Sequence, residues 1–263
     1  MRYFIELSYR GTAYHGWQTQ ANGTSVQHTL ERALSKRLGK LVAVMGSGRT
    51  DAGVHAEQQF VHLDLDEPLD LTEALLYSLN CVLPDDIALR AIFPVNPTDH
   101  ARFSAVSRYY EYRISRQKNA FMPGLTLHFR HALDIDRMNE ACAVLLRHSD
   151  FKSLSKVRAN VTHFRCALAF AYWTTGPGDR LTFHIKANRF LWGMVRTIVG
   201  LMLEIGQGRL SLEAFDQILL ARDRTVAGRP APANGLYLVG VGYPEHVLAH
   251  RARGVADRPI TSA

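Results

Sequence analysis

Strand-like and helix-like segments alternate along the chain, and a similar order of elements appears in both halves. Segments with two-residue alternation are predicted strands, and segments with apolar residues every three or four positions are predicted helices. In the first half the predicted strands are 2–9, 41–45, 56–65 and 86–95, and the predicted helices are 25–38 and 71–80. In the second half the predicted strands are 107–115, 166–175, 179–187 and 235–243, and the predicted helices are 136–147, 188–205 and 211–221. This order predicts an α+β protein of two similar halves whose sheets can join.

The connector between the halves and the end of the chain indicate where the domains divide. Residues 95–105, VNPTDHARFSA, interrupt the alternation with proline and polar residues. We therefore expect a first α+β half at 1–104 and a second at 105–246. The final stretch, 247–263, has little apolar content and is predicted to be a flexible tail.

Charge is distributed unevenly between these halves. Residues 1–104 contain 9 Lys and Arg against 12 Asp and Glu, a net charge of −3, whereas residues 105–263 contain 22 against 12, a net charge of +10. A mildly basic soluble protein is ordinary, but basic charge gathered in one half favours binding to a polyanion. Interleaved aromatic residues, without a strongly amphipathic cationic helix, favour nucleic acid over a membrane surface.

Several classes of protein are disfavoured by simple features of the sequence. No run of about 18 apolar residues is present, and the N-terminal MRYFIELSYRG reads as a strand rather than a signal peptide. The three cysteines, Cys81, Cys142 and Cys166, lie far apart without CxxC spacing. That pattern favours a reducing compartment such as the cytoplasm and gives no support for disulfides or a zinc site. The twelve histidines are also scattered, so no metal is expected.

One carboxylate stands on a glycine-rich turn, GSGRTDAGVHA, just before a predicted strand. Glycine lets a backbone turn sharply and lets a substrate approach closely. Thr50 can hold the turn through its hydroxyl, and Arg49 offers a planar charged fork to a phosphate, a carboxylate or a base. A simple surface turn also accounts for these residues. Asp51 is nevertheless the candidate reactive group, and a carboxylate acting as an anion in a closed pocket requires a cationic partner.

The helix predicted within NRFLWGMVRTIVGLMLEIG offers such a partner. Its core-facing residues recur at helical spacing and are Leu191, Met194, Val195, Ile198, Leu201, Met202 and Ile205. A neighbouring stripe contains Arg189, Gly193, Arg196 and Gly200. Two readings of the glycines stay open: close packing of the helix against a sheet, or space for Arg196 beside a pocket. An arginine deep in an apolar helix is unusual unless it meets an acid.

A third candidate element is the strand SRYYEYRIS. Alternation places Tyr110 and Tyr112 on one face, and Tyr109 and Glu111 on the other. Such tyrosines are commonly packing residues. A tyrosine near a carboxylate and an arginine is also a platform for stacking a base.

Five blocks of the sequence, in this order, resemble the TruA family of tRNA pseudouridine synthases. They are YRGTAYHGWQTQANGTSVQHTLERAL, GSGRTDAGVHAEQQFVHLDL, HARFSAVSRYYEYRI, MVRTIVGLMLEIG and GLYLVGVGYP. The blocks extend over about residues 3–245, and GRTDAGVHA is highly specific to the family. The chain departs from the family pattern at Trp192, Gly193 and Thr197, which affects the expected RNA contacts but not the aspartate, tyrosine and arginine positions.

The resemblance implies a role for each candidate residue. Asp51 matches the essential catalytic aspartate, and Arg49 matches the arginine that helps displace the target nucleotide. Tyr110 matches the tyrosine that stacks on the target base, and Arg196 matches the arginine that pairs with the aspartate. The implied reaction isomerises uridine to pseudouridine at positions 38, 39 and 40 of the tRNA anticodon stem-loop. Whether the aspartate attacks C1′ of the ribose or removes the C2′ proton stays open.

The resemblance also implies the architecture and the partners. The expected fold is two ferredoxin-like or RNP-like halves with a joined, mostly antiparallel central sheet flanked by helices. The expected assembly is a homodimer that binds tRNA, with no cofactor, no metal and no membrane.

Two other classes of function compete with this interpretation. A non-catalytic tRNA-binding or tRNA-folding protein on the same scaffold also predicts basic charge and aromatic residues, but it does not require Asp51 with Arg196. An aspartate-dependent hydrolase needs a second acid or base, and nothing in the sequence marks Glu57 or Asp64 as that partner.

Overall fold

The structure is a computed structural model that describes residues 1–21, 23–156 and 162–256. Within these residues the helices are α1 (Val26–Leu38), α2 (Glu73–Val82), α3 (Ile135–Leu146), α4 (Met194–Gly206), α5 (Leu212–Ala221) and α6 (Glu245–Ala249). The strands are β1 (Arg2–Tyr9), β2 (Met45–Gly46), β3 (His55–Asp64), β4 (Ile87–Val95), β5 (Ser107–Ser115), β6 (Leu127–His128), β7 (Leu168–Gly176), β8 (Arg180–Ala187), β9 (Leu236–Gly242) and β10 (Val255–Ala256). None of the helices in the described ranges is long and apolar enough to cross a membrane.

The chain forms two compact units. The first comprises Met1–Val106 together with the described residues from Leu238 onward, and the second comprises Ser107–Tyr237. The division after Val106 falls close to the predicted boundary after residue 104. The predicted second half extended to 246, whereas β9 returns the chain to the first unit at Leu238.

Local sequence signals account for the helices, as α1 in the first unit illustrates. The Ser25 hydroxyl caps the helix by accepting the His28 N–H at 3.1 Å, and Gly39 ends it in the left-handed conformation with φ 68°. The buried residues of α1 recur every three or four positions and are Val26, Thr29, Leu30, Ala33 and Leu34. The helix therefore follows from a cap, a stop and one apolar face.

The first unit is built on a sheet with the strand order β10, β4, β1, β3 and β9, and with β2 paired to β3. β1 pairs antiparallel with both β3 and β4, and β10 pairs antiparallel with β4. Phe4, Phe60, Phe93 and Tyr243 form an aromatic core with ring centroids 5.2–6.5 Å apart. β1 is thus a central strand, held on both sides and packed on a rigid aromatic cluster.

The second unit contains the strand order β5, β8 and β7, in which both pairings are antiparallel, while β6 pairs parallel with β5. α3 packs against β7 and α4. Gly206, at the end of α4, lies so close to α3 that an added Cβ would stand 2.6 Å from the sulfur of Met138. The predicted α+β class with mostly antiparallel pairing is confirmed.

Three segments differ from their predictions. The strand predicted at 41–45 is reduced to Met45–Gly46. The helix predicted to start at 188 begins at Met194, because Gly193 adopts φ 75° and the Asn188 side chain instead accepts the Ala167 N–H at 2.8 Å. Residues 247–256, for which a flexible tail was predicted, form the end of α6, a 3₁₀ turn and β10. The remaining tail residues, 257–263, lie outside the described ranges.

Packing explains why residues 247–256 form regular structure despite their polar composition. β10 extends the sheet by pairing Val255 with Ile92. The Arg251 guanidinium lies 2.8 Å from the buried carboxylate of Glu6. Hydrogen bonds, an ion pair and two buried valines, Val247 and Val255, hold this segment, so its overall polar composition did not predict it.

A buried histidine of β3 gives a testable pH dependence of stability. The Nδ1 atom of His62 accepts the Ala101 N–H at 3.1 Å, and burial, followed by the charge of Arg2, lowers the pKa of His62 to about 4. Because an unfolded histidine titrates near ~6.5, the unfolded chain binds more protons between that pH and about 4. The free energy of unfolding should therefore fall with decreasing pH across this window, by up to roughly 1.4 kcal/mol per unit for this group.

Urea unfolding at several pH values between 4 and 8 measures this effect. His62→Asn, which keeps a side-chain acceptor, should weaken the pH dependence in this window. His28→Asn, at an exposed position of α1, is the control and should retain it. Equal pH dependence in the wild type and both variants would contradict the assignment to His62.

Candidate active site

Asp51 lies half-buried at the first position of a tight turn that precedes β3. The Val54 N–H donates to the Asp51 carbonyl at 3.1 Å, and Gly53, at the third position, has φ 80°. A positive φ at that position is the requirement that glycine meets in type II turns. The glycine predicted to permit a sharp turn therefore does so two residues after Asp51.

The backbone of Asp51 is hydrogen-bonded on both sides of its Cα. On the preceding side, the Thr50 carbonyl accepts the Trp17 N–H at 3.1 Å. On the following side, the Asp51 carbonyl accepts the Val54 N–H. Because both neighbouring carbonyls have partners, the main chain on either side of Asp51 is restrained.

The segment Tyr9–Trp17, which starts at the last residue of β1, supports this turn along its length; we call it the cradle. The Tyr9 hydroxyl lies 2.8 Å from the Thr50 hydroxyl, and the Gly53 N–H donates to the Tyr14 carbonyl at 3.3 Å. The cradle is itself held by the Tyr14 hydroxyl, which donates to the Asp86 carboxylate at 2.6 Å. Burial and this bond raise the pKa of Tyr14, so its hydroxyl remains a donor at neutral pH.

Two glycines of the cradle allow its backbone to approach the turn. An added Cβ at Gly16 would lie 2.6 Å from the Thr50 carbonyl oxygen, and one at Gly11 would lie 1.9 Å from the Val54 carbonyl oxygen. Gly16 also has φ 94°, which other residues adopt with strain. At these two glycines the cradle contacts the turn backbone to backbone.

The chain before the turn is fixed by different contacts. Gly46 lies against the Trp17 indole, where an added Cβ would stand 2.6 Å from Nε1. The Ser47 hydroxyl donates to the Gln59 side chain, whose amide donates in turn to the Gly48 carbonyl at 3.0 Å. Arg49 follows as an exposed residue. The structure therefore places Arg49 at the surface of the first unit, two residues before the half-buried carboxylate.

Tyr110 lies on β5 of the second unit, where it pairs with Ile185 of β8. Its ring meets the ring of Phe190 edge-on, at 5.2 Å and 87°. On the opposite face of β5, the Tyr109 hydroxyl donates to the Glu111 carboxylate at 3.0 Å. Tyr110 is half-buried, so part of its side chain remains accessible.

Arg196 lies in the first turn of α4, beside the segment Arg229–Ala231. Its Nε donates to the Ala231 carbonyl at 2.7 Å, and the Ala231 N–H donates to the Arg196 carbonyl at 2.8 Å. An added Cβ at Gly200 would lie 2.2 Å from the Arg229 carbonyl oxygen, so this glycine admits the segment. Gly200 is therefore a site of close packing, but against this segment rather than against a sheet, while Gly193 precedes the helix rather than lying inside it.

Arg196 also acts electrostatically on its surroundings. Burial raises the pKa of Tyr112, and the positive charge of Arg196 opposes that increase. Tyr112 is fully buried and its hydroxyl donates to the Pro232 carbonyl at 2.8 Å. The Arg196 guanidinium is thus held through its Nε by the Ala231 carbonyl. The neighbouring Pro232 carbonyl accepts the hydrogen bond from Tyr112 of β5.

The four predicted site residues divide between the units. Arg49 and Asp51 belong to the first unit, and Tyr110 and Arg196 belong to the second. Arg189, which the sequence placed on the same helical stripe as Arg196, lies before α4 and bonds His163 instead. In the described ranges, no group of three or more His, Cys, Asp or Glu side chains is arranged to hold a metal ion.

Sequence reasoning missed the cradle and the segment Arg229–Ala231. The glycines in YRGTAYHGW were the available signal, since Gly11 and Gly16 are where the cradle approaches the turn. The segment Arg229–Ala231 carried no such signal, because its contacts to Arg196 are made by main-chain groups.

Comparisons with known proteins converge on one family. A family model described as tRNA pseudouridine synthase matches residues 141–244. A protein of Parabacteroides distasonis named tRNA pseudouridine synthase A is 45% identical over 247 residues, covering 94% of this chain and 98% of that protein. A protein of the same name from Bacteroides thetaiotaomicron is 44% identical, covering 96% of this chain and 94% of that protein. One from Porphyromonas gingivalis is 46% identical, covering 94% of this chain and 99% of that protein.

Proposed function

Because the chain belongs to the tRNA pseudouridine synthase A family, we propose that it isomerises uridines of the tRNA anticodon stem-loop, at positions 38, 39 and 40, with Asp51 as the reacting side chain. In this reaction the N1–C1′ bond breaks, the uracil turns, and C5 bonds to C1′. The C5 proton leaves and N1 becomes protonated, so the atoms balance without a co-reactant.

The carboxylate of Asp51 acts at the ribose of the target nucleotide. It either attacks C1′ or removes the C2′ proton, and both routes require an anion with a fixed approach to the sugar. The observation that carries the assignment is that carbonyls on both sides of the Asp51 Cα are hydrogen-bonded. A fixed backbone supports catalysis because reacting atoms must be held within about 3–3.5 Å in a defined orientation.

The other three residues prepare the nucleotide and the carboxylate. A stacked uridine must leave its helix to react, at a cost of a few kcal/mol. Arg49, exposed and charged, fills the vacated position, and Tyr110 stacks on the extruded base. Arg196 supplies the positive charge that pairs with the Asp51 carboxylate. Its Nε is bonded to the Ala231 carbonyl, so the guanidinium is oriented before the substrate binds.

The proposal extends to how tRNA is held. The excess of 22 Lys and Arg over 12 Asp and Glu in residues 105–263 supports phosphate binding. By family resemblance, the acting species is a homodimer in the cytoplasm.

Mapping pseudouridines after incubation with purified protein tests the proposed function. An unmodified tRNA with uridines at positions 38, 39 and 40 should gain pseudouridine at one or more of them, and a transcript with cytidine at all three should gain none. Weaker tRNA binding at higher salt should accompany this result. Modification only outside the anticodon stem-loop would contradict the proposed site. Binding without any isomerisation would favour the non-catalytic tRNA-binding alternative.

A further inference from the structure

We propose that the Tyr9 hydroxyl is a positioning group for Asp51, acting through the hydroxyl of Thr50. This inference rests on the proposed catalytic role of Asp51. Neither Tyr9 nor Thr50 needs to touch the substrate for the effect, because both act on the backbone that carries the carboxylate.

The contacts form a short path from the central strand of the first unit to the turn. Tyr9 is the last residue of β1, and its side chain is 4% exposed. Its ring packs on Trp17 with centroids 5.9 Å apart, and its hydroxyl lies 2.8 Å from the Thr50 hydroxyl. Thr50 is therefore tied twice to the cradle, through its side chain to Tyr9 and through its carbonyl to the Trp17 N–H.

The strand is irregular where Tyr9 leaves it. Leu7 pairs with Gln59, but Tyr9 pairs with Ala56, so the register between β1 and β3 shifts by one residue. Such shifts bend a strand and redirect side chains, and they are frequent next to active sites. β1 is also paired with β4 on its other edge, so the strand that carries the Tyr9 ring is held on both sides.

The hydrogen bond constrains the residue that immediately precedes Asp51. Thr50 lies outside regular secondary structure, and the Tyr9 contact adds a side-chain restraint to its main-chain bond. Without the hydroxyl pair, Thr50 can rotate about its remaining main-chain bond and carry the Asp51 carboxylate with it. A misplacement of about 1 Å can reduce a rate by about 10²-fold.

Single-turnover isomerisation of tRNA measures the contribution of this hydroxyl pair. Tyr9→Phe and Thr50→Val each remove one hydroxyl with little change in shape, and each should reduce the rate of the chemical step about 10- to 100-fold while KM changes less than about 3-fold. Thr50→Ser keeps the hydroxyl and should restore most of the rate. The double variant should lose little more than either single variant, because both remove the same contact.

Tyr3→Phe is the matched control. Tyr3 lies on β1 six residues earlier, is 1% exposed, and its hydroxyl accepts the Leu69 N–H at 2.9 Å, away from the turn. The Tyr3→Phe variant should lose about as much free energy of unfolding as Tyr9→Phe but keep the wild-type rate of isomerisation. A Tyr9→Phe protein that is less stable yet fully active would show a purely structural role and overturn the inference.

Failure of the proposed function and failure of the positioning role give different results. If the wild type does not isomerise uridine, or if Asp51→Asn keeps its activity, the proposed function fails. If Asp51→Asn is inactive while Tyr9→Phe and Thr50→Val react at the wild-type rate, only the positioning role fails.

Discussion

Asp51→Asn should reduce isomerisation by at least about 10³-fold while changing tRNA affinity by less than about 3-fold. The amide has nearly the shape of the carboxylate, so the turn and its hydrogen bonds to Trp17 and Val54 can persist. It carries no negative charge and can neither attack C1′ nor accept the C2′ proton. Losses of this order or larger accompany removal of a reacting group in other enzymes. Tritium release from 5-tritiated uridine in tRNA measures the rate, and fluorescence anisotropy measures the affinity.

A second aspartate of the first unit provides the control for this result. Asp66→Asn removes the same charge at an exposed position after β3 and should leave the rate within about 2-fold of wild type. Urea unfolding of both variants shows whether a lower isomerisation rate reflects a smaller fraction of folded protein. Substantial turnover by Asp51→Asn, or an equal loss with Asp66→Asn, would contradict the assigned role.

Substituting Arg196 is expected to give the second largest effect, a loss of about 10² to 10³ in kcat for Arg196→Gln. Glutamine lacks the charge that pairs with the Asp51 carboxylate in the proposed site. Arg196→Lys should also be impaired, because one ammonium group cannot reproduce both the bond to the Ala231 carbonyl and the proposed pairing. Single-turnover rates at saturating enzyme measure the rate of the chemical step. The KM for tRNA, measured separately, shows whether binding also changes.

Arg209→Gln is the control for the lost positive charge. Arg209 follows the end of α4 and is largely exposed, and its guanidinium lies 3.8 Å from the Glu204 carboxylate in a loose ion pair. This variant should weaken tRNA binding slightly, if at all, and leave kcat unchanged. Full activity of Arg196→Lys would show that the guanidinium fork is not required, and full activity of Arg196→Gln would remove Arg196 from the site.

Local patterns predicted most of the elements, because caps and periodicity act over a few residues. Ser25 and the apolar positions predicted a helix at 25–38, and α1 runs from Val26 to Leu38. The two-residue alternation in SRYYEYRIS predicted the strand that β5 forms. α4 was predicted too long, because the residues before Met194 are apolar enough to continue the pattern while Gly193 stops it with a positive φ.

Contacts between distant parts of the chain were beyond sequence reasoning. The cradle at Tyr9–Trp17 meets the Asp51 turn more than thirty residues later, largely through main-chain groups, and its glycines mark a close approach without naming the segment that is approached. The bond from Arg196 to the Ala231 carbonyl likewise joins residues 35 positions apart. The candidate residues were identified from motifs, whereas the supports that orient them emerged only from the fold.

A structure of the Asp51→Asn variant bound to an anticodon stem-loop shows whether residue 51 reaches the ribose of the target uridine. The side-chain amide of residue 51 should lie within about 3.5 Å of C1′ or C2′ of one extruded uridine, with the Tyr110 ring against its base. A complex in which the target uridine is extruded but its ribose lies far from residue 51 would contradict the proposed role of Asp51.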